Sequence, residues 1–243
     1  MSASAEKPAR PSVWRAFAQP SAWTMLWFGF SSGLPFLLVA TTLGYWLKKN
    51  GIVLKDITMI ASAGMLYALK FLWAPLLDHV RLPVLGRMGL RRSWLLFAQC
   101  GVIVGLLAMA LLTPTHLPLF IAATLVVAFF GATQDIAVDA YRIEIAPVEA
   151  QGALVATYSL GYRLALTLAG AAALILADHV SWPLIYVWMA VAMVLPVIAN
   201  LTAREPEVQR ETPASWQAAM RYAVVDPLVD FFRRYGVKLA LFT

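Results

Sequence analysis

Charge is scarce in this chain. Asp, Glu, Lys and Arg together make up only 13% of the 243 residues, against 61% hydrophobic residues. Soluble domains carry about a quarter charged residues, and the mean hydropathy of +0.73 points the same way. A soluble enzyme or binding module is thereby excluded, and the chain reads as an integral membrane protein. Cysteine is almost absent: Cys100 stands alone, which leaves no intramolecular disulfide, and its apolar surroundings make it a small packing residue. Histidine is nearly as rare. His79, His116 and His179 are scattered near segment ends without metal-ligand spacing, so neither a metal nor any other cofactor is expected. Acidic residues number 13 against 19 basic ones, a formal charge of +6. The basic residues cluster at the ends of apolar runs, as topology signals do. The bilayer, not nucleic acid, is the expected partner.

What the chain has in quantity is long apolar runs. About 20 helical residues cross ~30 Å of hydrocarbon, and the runs Trp23–Leu47, Ile57–Val80, Trp94–Leu112, Leu117–Ala140, Ala153–Ala177 and Trp182–Leu201 meet that length. Glycine, proline or charge marks every junction between them. Lipid admits only helices or closed barrels, and runs of this length are helices. The expected class is an all-α membrane protein with six transmembrane helices. Residues 1–20 form a tail and 21–201 the bundle. A polar loop follows over 202–237, in which 216–235 has the mixed character of an amphipathic surface helix. The closing KLALFT, 238–243, reads as the start of a truncated seventh span. Lys7, Arg10 and Arg15, then Arg81, Arg87, Arg91 and Arg92, then Arg142, then Arg204, Arg210 and Arg221 fall on one side of the membrane. Only Lys48, Lys49 and Lys55 fall on the other, so the positive-inside rule puts the N-terminus in the cytoplasm.

The stretch ATQDIAVDAYR, Ala132 to Arg142, carries the densest polarity inside a span. Asp135 and Asp139 are four residues apart and share one helix face. Ionisable groups in a span are costly and normally face a bundle interior or a water-filled path. Lys70 and Arg163 are the other two. At 1.5 Å per residue, Lys70 stands ~12 Å above Asp78, Asp135 ~10 Å above Arg142 and Arg163 ~16 Å above Gly152. All four therefore lie at depths where acid and base meet, and a network of Lys70 and Arg163 with Asp135 and Asp139 is expected. Two readings stand: salt bridges that only hold helices together, and a site that handles substrate or protons.

Asp78 faces Arg81, Arg87, Arg91 and Arg92 across the loop after the second run, either as a latch on the helix ends or as a topology signal with one counter-ion. Gly29 and Gly33 form a GxxxG in the first run, followed by Pro35. Close packing is the favoured reading, a kink at a moving gate the sharper one. Trp23, Trp46, Trp94 and Trp182 lie near span ends, where tryptophans anchor at the interface. No nucleophile triad, metal set or phosphate loop is visible.

Five of these stretches, GFSSGLPFLL (Gly29–Leu38), KFLWAPLLD (Lys70–Asp78), GRMGLRRSW (Gly86–Trp94), ATQDIAVDAYR and LGYRLAL (Leu160–Leu166), together resemble the AmpG-type muropeptide permeases of the major facilitator superfamily. The resemblance runs from the first span to the fifth. It implies the N-terminal six-helix half of a two-half carrier, with a C-terminal half missing, in the inner membrane of a Gram-negative-type bacterium. The implied function is proton-driven import of GlcNAc-anhydro-MurNAc, with or without peptide, for peptidoglycan recycling. Gln134, Asp135 and Asp139 match that family's QD-x-x-x-D-A element, and Gly161-Tyr162-Arg163 its GYR. The implied substrate and proton path is therefore Lys70, Gln134, Asp135, Asp139 and Arg163. Asp78, Gly86, Arg87, Arg91 and Arg92 match the superfamily's loop after span two, with HVRLPVL inserted before Gly86, and imply a cytoplasmic latch. The acetyl-coenzyme A transporters are similar in KFLWAPLLD and ATQDIAVD, but AYRIE and GYR favour the muropeptide group. A membrane-embedded enzyme is the competing class. It is disfavoured because the carboxylates sit inside spans instead of on interfacial loops, and a structural anchor needs no buried charges.

Overall fold

The computed structural model describes residues 19–207 and the single positions 221, 229 and 233, with Thr115 described by its backbone only. The tail 1–18, most of the loop expected over 202–237 and the seventh-span start at 238–243 lie outside these residues. Among the described residues there is no strand. Five helices are long and apolar enough to cross a membrane: Pro20–Lys49, Leu90–Leu112, Leu117–Ile145, Val148–Leu176 and Trp182–Thr202. We call them spans one, three, four, five and six. Prolines in the first turns of spans one, four and six begin them where a missing N–H costs nothing.

Span two differs from the continuous helix expected over Ile57–Val80. Residues 54–79 are a series of short pieces, α-helical over Leu54–Ala61, Met65–Leu69 and Ala74–His79 and 3₁₀-helical over Ser62–Gly64 and Lys70–Leu72. Gly64 sits at the first break, and at the second Trp73 (φ −114°, ψ 1°) leads into a first turn that holds Pro75. Such interruptions inside a membrane persist only where neighbouring helices satisfy the loosened backbone.

Span one packs chiefly along span five, span three along span four, and span six against span three. The first of these seams is made by glycine. A Cβ on Gly29 or Gly33 would collide with the carbonyls of Tyr158 and Tyr162, and one on Gly161 with the carbonyl of Leu26. The GxxxG is thus a packing surface, matched from the other side by Gly161. Span one is also interrupted, at Ala40 (φ −110°, ψ −102°), and carries Pro35 inside it. Proline has no N–H for the carbonyl four residues back, which here is Ser31. Gln134 Nε2 of span four donates to that Ser31 oxygen at 2.5 Å. Beside the Ala40 break, the Tyr186 hydroxyl of span six donates to the Leu38 carbonyl at 2.7 Å. Thr42 Oγ1 donates at 2.6 Å to Ala169, within the π-helical turn Leu168–Ala172 of span five. Each irregularity of span one is therefore met by a side chain from another helix.

Two apolar clusters fill the bundle. One surrounds Trp46, Phe120, Trp182 and Tyr186; the other surrounds Phe28, Leu77, Trp94 and Tyr141. Of the tryptophans expected at the interface, only Trp23 is exposed, while Trp46, Trp94 and Trp182 are core residues. Trp94 is held there by donating Nε1–H to the Val80 carbonyl, and Trp46 by its ring contacts with Phe120, Trp182 and Tyr186. Cys100, expected to pack inside, is exposed on span three.

The glycine seam sets a test. Gly161→Val forces spans one and five apart and lowers stability by about 2 kcal/mol or more. Gly152→Val, at a position with open space around it, changes little. Melting of the two variants in detergent measures the difference.

Candidate functional site

Span four brings its two carboxylates to the broken second span. Lys70, on the 3₁₀ turn Lys70–Leu72, points its Nζ between them, 3.6 Å from Asp135 Oδ2 and 3.8 Å from Asp139 Oδ2. Both distances exceed those of a charge-assisted hydrogen bond, about 2.7–2.9 Å, so the lysine is shared and committed to neither. The two acids differ in setting. The Asp135 side chain is 16% exposed, that of Asp139 50%, and Asp139 has a second cation, Arg142, at 3.7 Å from Oδ1. Trp73 Nε1 donates to Thr133 Oγ1 at 3.1 Å, which fixes span two against span four beside the pair. Gln134 is fully buried and, as described, donates to the Ser31 carbonyl that Pro35 leaves free in span one.

Arg163 does not join this cluster. Its side chain is exposed on span five, and it forms no ion pair among the described residues. Span five instead sends Tyr158 and Tyr162 toward Asp135, their rings 6.1 Å apart. Sequence spacing places groups at a depth in the membrane but not at an angle around the helix axis. That is why Lys70 met the carboxylates and Arg163 did not. Tyr162 belongs to the same GYR stretch and Tyr158 stands one turn before it, but neutral side chains give no charge signal inside an apolar run.

At one end of the bundle a second polar centre forms around Arg91, which is 4% exposed. Its Nη1 lies 2.7 Å from Asp78 Oδ1. Its Nε and Nη2 grip Glu144 in a fork, at 3.0 Å to Oε2 and 2.6 Å to Oε1. Arg92 reaches the end of span six, donating to the carbonyls of Asn200 (3.0 Å) and Leu201 (2.7 Å). Glu205 returns the contact by accepting from the backbone N–H groups of Arg91 and Arg92 at 2.9 and 3.1 Å. These are first-turn donors of span three that have no partner within the helix. Gly89, at φ +104°, lets Glu205 come this close, because a Cβ there would overlap its carboxylate. Of the residues expected in a latch, Asp78, Arg91 and Arg92 converge here. Gly86 lies on the 3₁₀ turn Leu85–Met88, and Arg87 is exposed and forms no ion pair among the described residues. Glu144 and Glu205 are the additions. A buried guanidinium with five donors demands more than one acceptor, and Glu144 in AYRIE was the available carboxylate.

Removing one partner of a buried ion pair leaves the other charged and unmet, at a cost of about 3–5 kcal/mol. Glu144→Gln is expected to lower stability on that scale. Arg204→Ala, which breaks the exposed Arg204–Glu207 pair, is expected to leave it unchanged. Denaturant or thermal unfolding in detergent distinguishes them.

The Major Facilitator Superfamily sequence profile matches residues 24–242. The chain is 40% identical over 230 residues to the anhydromuropeptide permease of Escherichia coli (strain K12), an alignment covering 93% of this chain and 45% of that protein. It is 37% identical over 214 residues to the AmpG 4 transporter candidate of Rickettsia felis, covering 85% of this chain and 51% of the relative. An uncharacterised protein of Haemophilus influenzae is 36% identical over 217 residues, 88% of this chain and 49% of its own length. The chain spans about half the length of the curated relatives it matches. With its five long apolar helices, its broken second span and this match, the chain is a multi-pass membrane protein that belongs to the major facilitator superfamily and resembles its AmpG-type permeases along most of its length.

Proposed function

We propose that this chain forms the N-terminal six-helix half of a proton-coupled permease that imports cell-wall muropeptides for peptidoglycan recycling. In this reading it lies in a bacterial inner membrane with the N-terminus and the Arg91 centre in the cytoplasm. The observation that carries the proposal is Lys70 suspended between two carboxylates of unequal burial, in a chain similar to a named anhydromuropeptide permease. Asp135 is the proton acceptor. While it is ionised, Lys70 is divided between Asp135 and Asp139. When a proton from water neutralises it, Lys70 passes to Asp139 alone, and the contact between spans two and four changes by the reach of one side chain. Arg163, exposed on span five, is offered to the anionic cargo in the path shared with a second six-helix half. Carriers of this kind work by rocking one half against the other around a central site. The Arg91–Asp78–Glu144 centre holds the cytoplasmic helix ends in one of the two arrangements.

Uptake of labelled GlcNAc-anhydro-MurNAc peptide into right-side-out vesicles tests this. A full-length permease containing this chain is expected to take up the label and to lose uptake when a protonophore collapses the gradient. Asp135→Asn is expected to abolish the proton-driven uptake while inserting normally. Robust proton-driven uptake by Asp135→Asn would leave that residue a structural role. Absence of uptake by the well-inserted parent would move the cargo to another anionic metabolite, with acetyl-coenzyme A tested next.

A further inference from the structure

Three buried polar atoms, from three spans around the Asp135 side chain, have no hydrogen-bond partner. They are Asp135 Oδ1 of span four, the Tyr67 hydroxyl of span two and the Ser32 hydroxyl of span one, all buried. The placement of Tyr67 is built in. Its hydroxyl rests on Gly131, where a Cβ would collide with it, and Gly131 lies one turn before Asp135 on the same helix face. Ser32, 1% exposed, stands between the Asp135 carboxylate and Tyr158. The remaining groups that face Asp135 are Lys70 of span two, Asp139 of its own helix, and Tyr158 and Tyr162 of span five. The two oxygens of Asp135 thus differ: Oδ2 is the one paired with the lysine, and Oδ1 is buried without a partner.

A buried oxygen or hydroxyl without a partner is costly, and three together mark a place where a change of state brings partners. An ionised Oδ1 only accepts, whereas a hydroxyl both donates and accepts. Protonation of Asp135 turns the carboxylate into a third group of that kind. Resting on the reading of Asp135 as proton acceptor, we infer that Tyr67 and Ser32 are positioning residues that receive the protonated Asp135 by hydrogen bonding at Oδ1. The proton comes from water and no other covalent bond changes. Lys70 and Tyr67 are three residues apart on span two, so the hydroxyl takes hold of span four as the ammonium lets go. Span two stays attached in both states through different atoms.

The edge-to-face contact of Tyr67 with Phe36, 5.4 Å between ring centres, survives Tyr67→Phe, so that variant removes the hydroxyl and keeps the packing. The test uses the full-length permease in liposomes and infrared difference spectra between acidic and basic buffer. The carboxylic-acid C=O band that disappears in Asp135→Asn belongs to Asp135. In Tyr67→Phe and in Ser32→Ala this band is expected at higher frequency, as for an acid group that has lost a hydrogen bond. Proton-driven uptake is expected to slow about fivefold in Tyr67→Phe, the scale of one neutral hydrogen bond. An Asp135 band at unchanged frequency in both variants overturns the inference and leaves Asp135 as proton acceptor. If no band depends on Asp135, that underlying reading fails, and the inference with it.

Discussion

Inside a bilayer no water repairs a broken hydrogen bond, and this bundle is arranged around that constraint. Span one carries a proline and a break where a membrane helix would ordinarily be regular, and each place is met by a side chain reaching across from another helix. Gln134 takes the Ser31 carbonyl freed by Pro35, and Tyr186 takes the Leu38 carbonyl beside Ala40. The same demand organises the Arg91 end. There two guanidinium groups, three carboxylates and two helix termini satisfy one another so fully that Arg91 is nearly inaccessible. Among the described residues a few buried side-chain atoms escape this rule: Trp182 Nε1 and Asn200 Oδ1 stand apart, whereas Asp135 Oδ1 and the hydroxyls of Ser32 and Tyr67 belong to one neighbourhood.

The two polar centres therefore differ in kind. At Arg91 the distances are those of strong charge-assisted bonds and every strong donor has a matched acceptor, as in a permanent joint. At Lys70 the ion-pair distances are long and the cation has two competing carboxylates, which suits a charge that changes partners. Span two links the centres, with Lys70 on one of its turns and Asp78 on the last.

Much of this was readable in the sequence. Apolar run length gave the spans to within a few residues, and an i, i+4 spacing placed Asp135 and Asp139 on one face. The GxxxG foretold the span-one seam, and the motif after span two foretold that Asp78, Arg91 and Arg92 would meet. What was not readable depends on rotation about helix axes and on backbone irregularity. Hydropathy does not register 3₁₀ turns, so span two looked continuous. Depth does not fix azimuth, so Arg163, exposed on span five, stays outside the cluster of Lys70, Asp135 and Asp139. Tryptophans near span ends look alike in sequence whether they meet lipid or, like Trp46, pack against Phe120 and Tyr186. Glu205 lies far along the chain from span three, and only the fold brings it to Gly89.

The interrupted second span also has a mechanical meaning. Spans one and five meet backbone to backbone across their glycines and have little room to slide, so they form the stiff member of the bundle. Residues 54–79 are short turns joined at breaks, each shift of which strains a few bonds instead of a whole ladder. They are the compliant member. One elementary charge crossing a potential of 100 mV releases about 2.3 kcal/mol, too little to part a tight helix seam but comparable to the few hydrogen bonds that a single short turn exchanges. In the proton-coupled carrier proposed above, the driving force of one proton would thus fall on the element soft enough to respond to it.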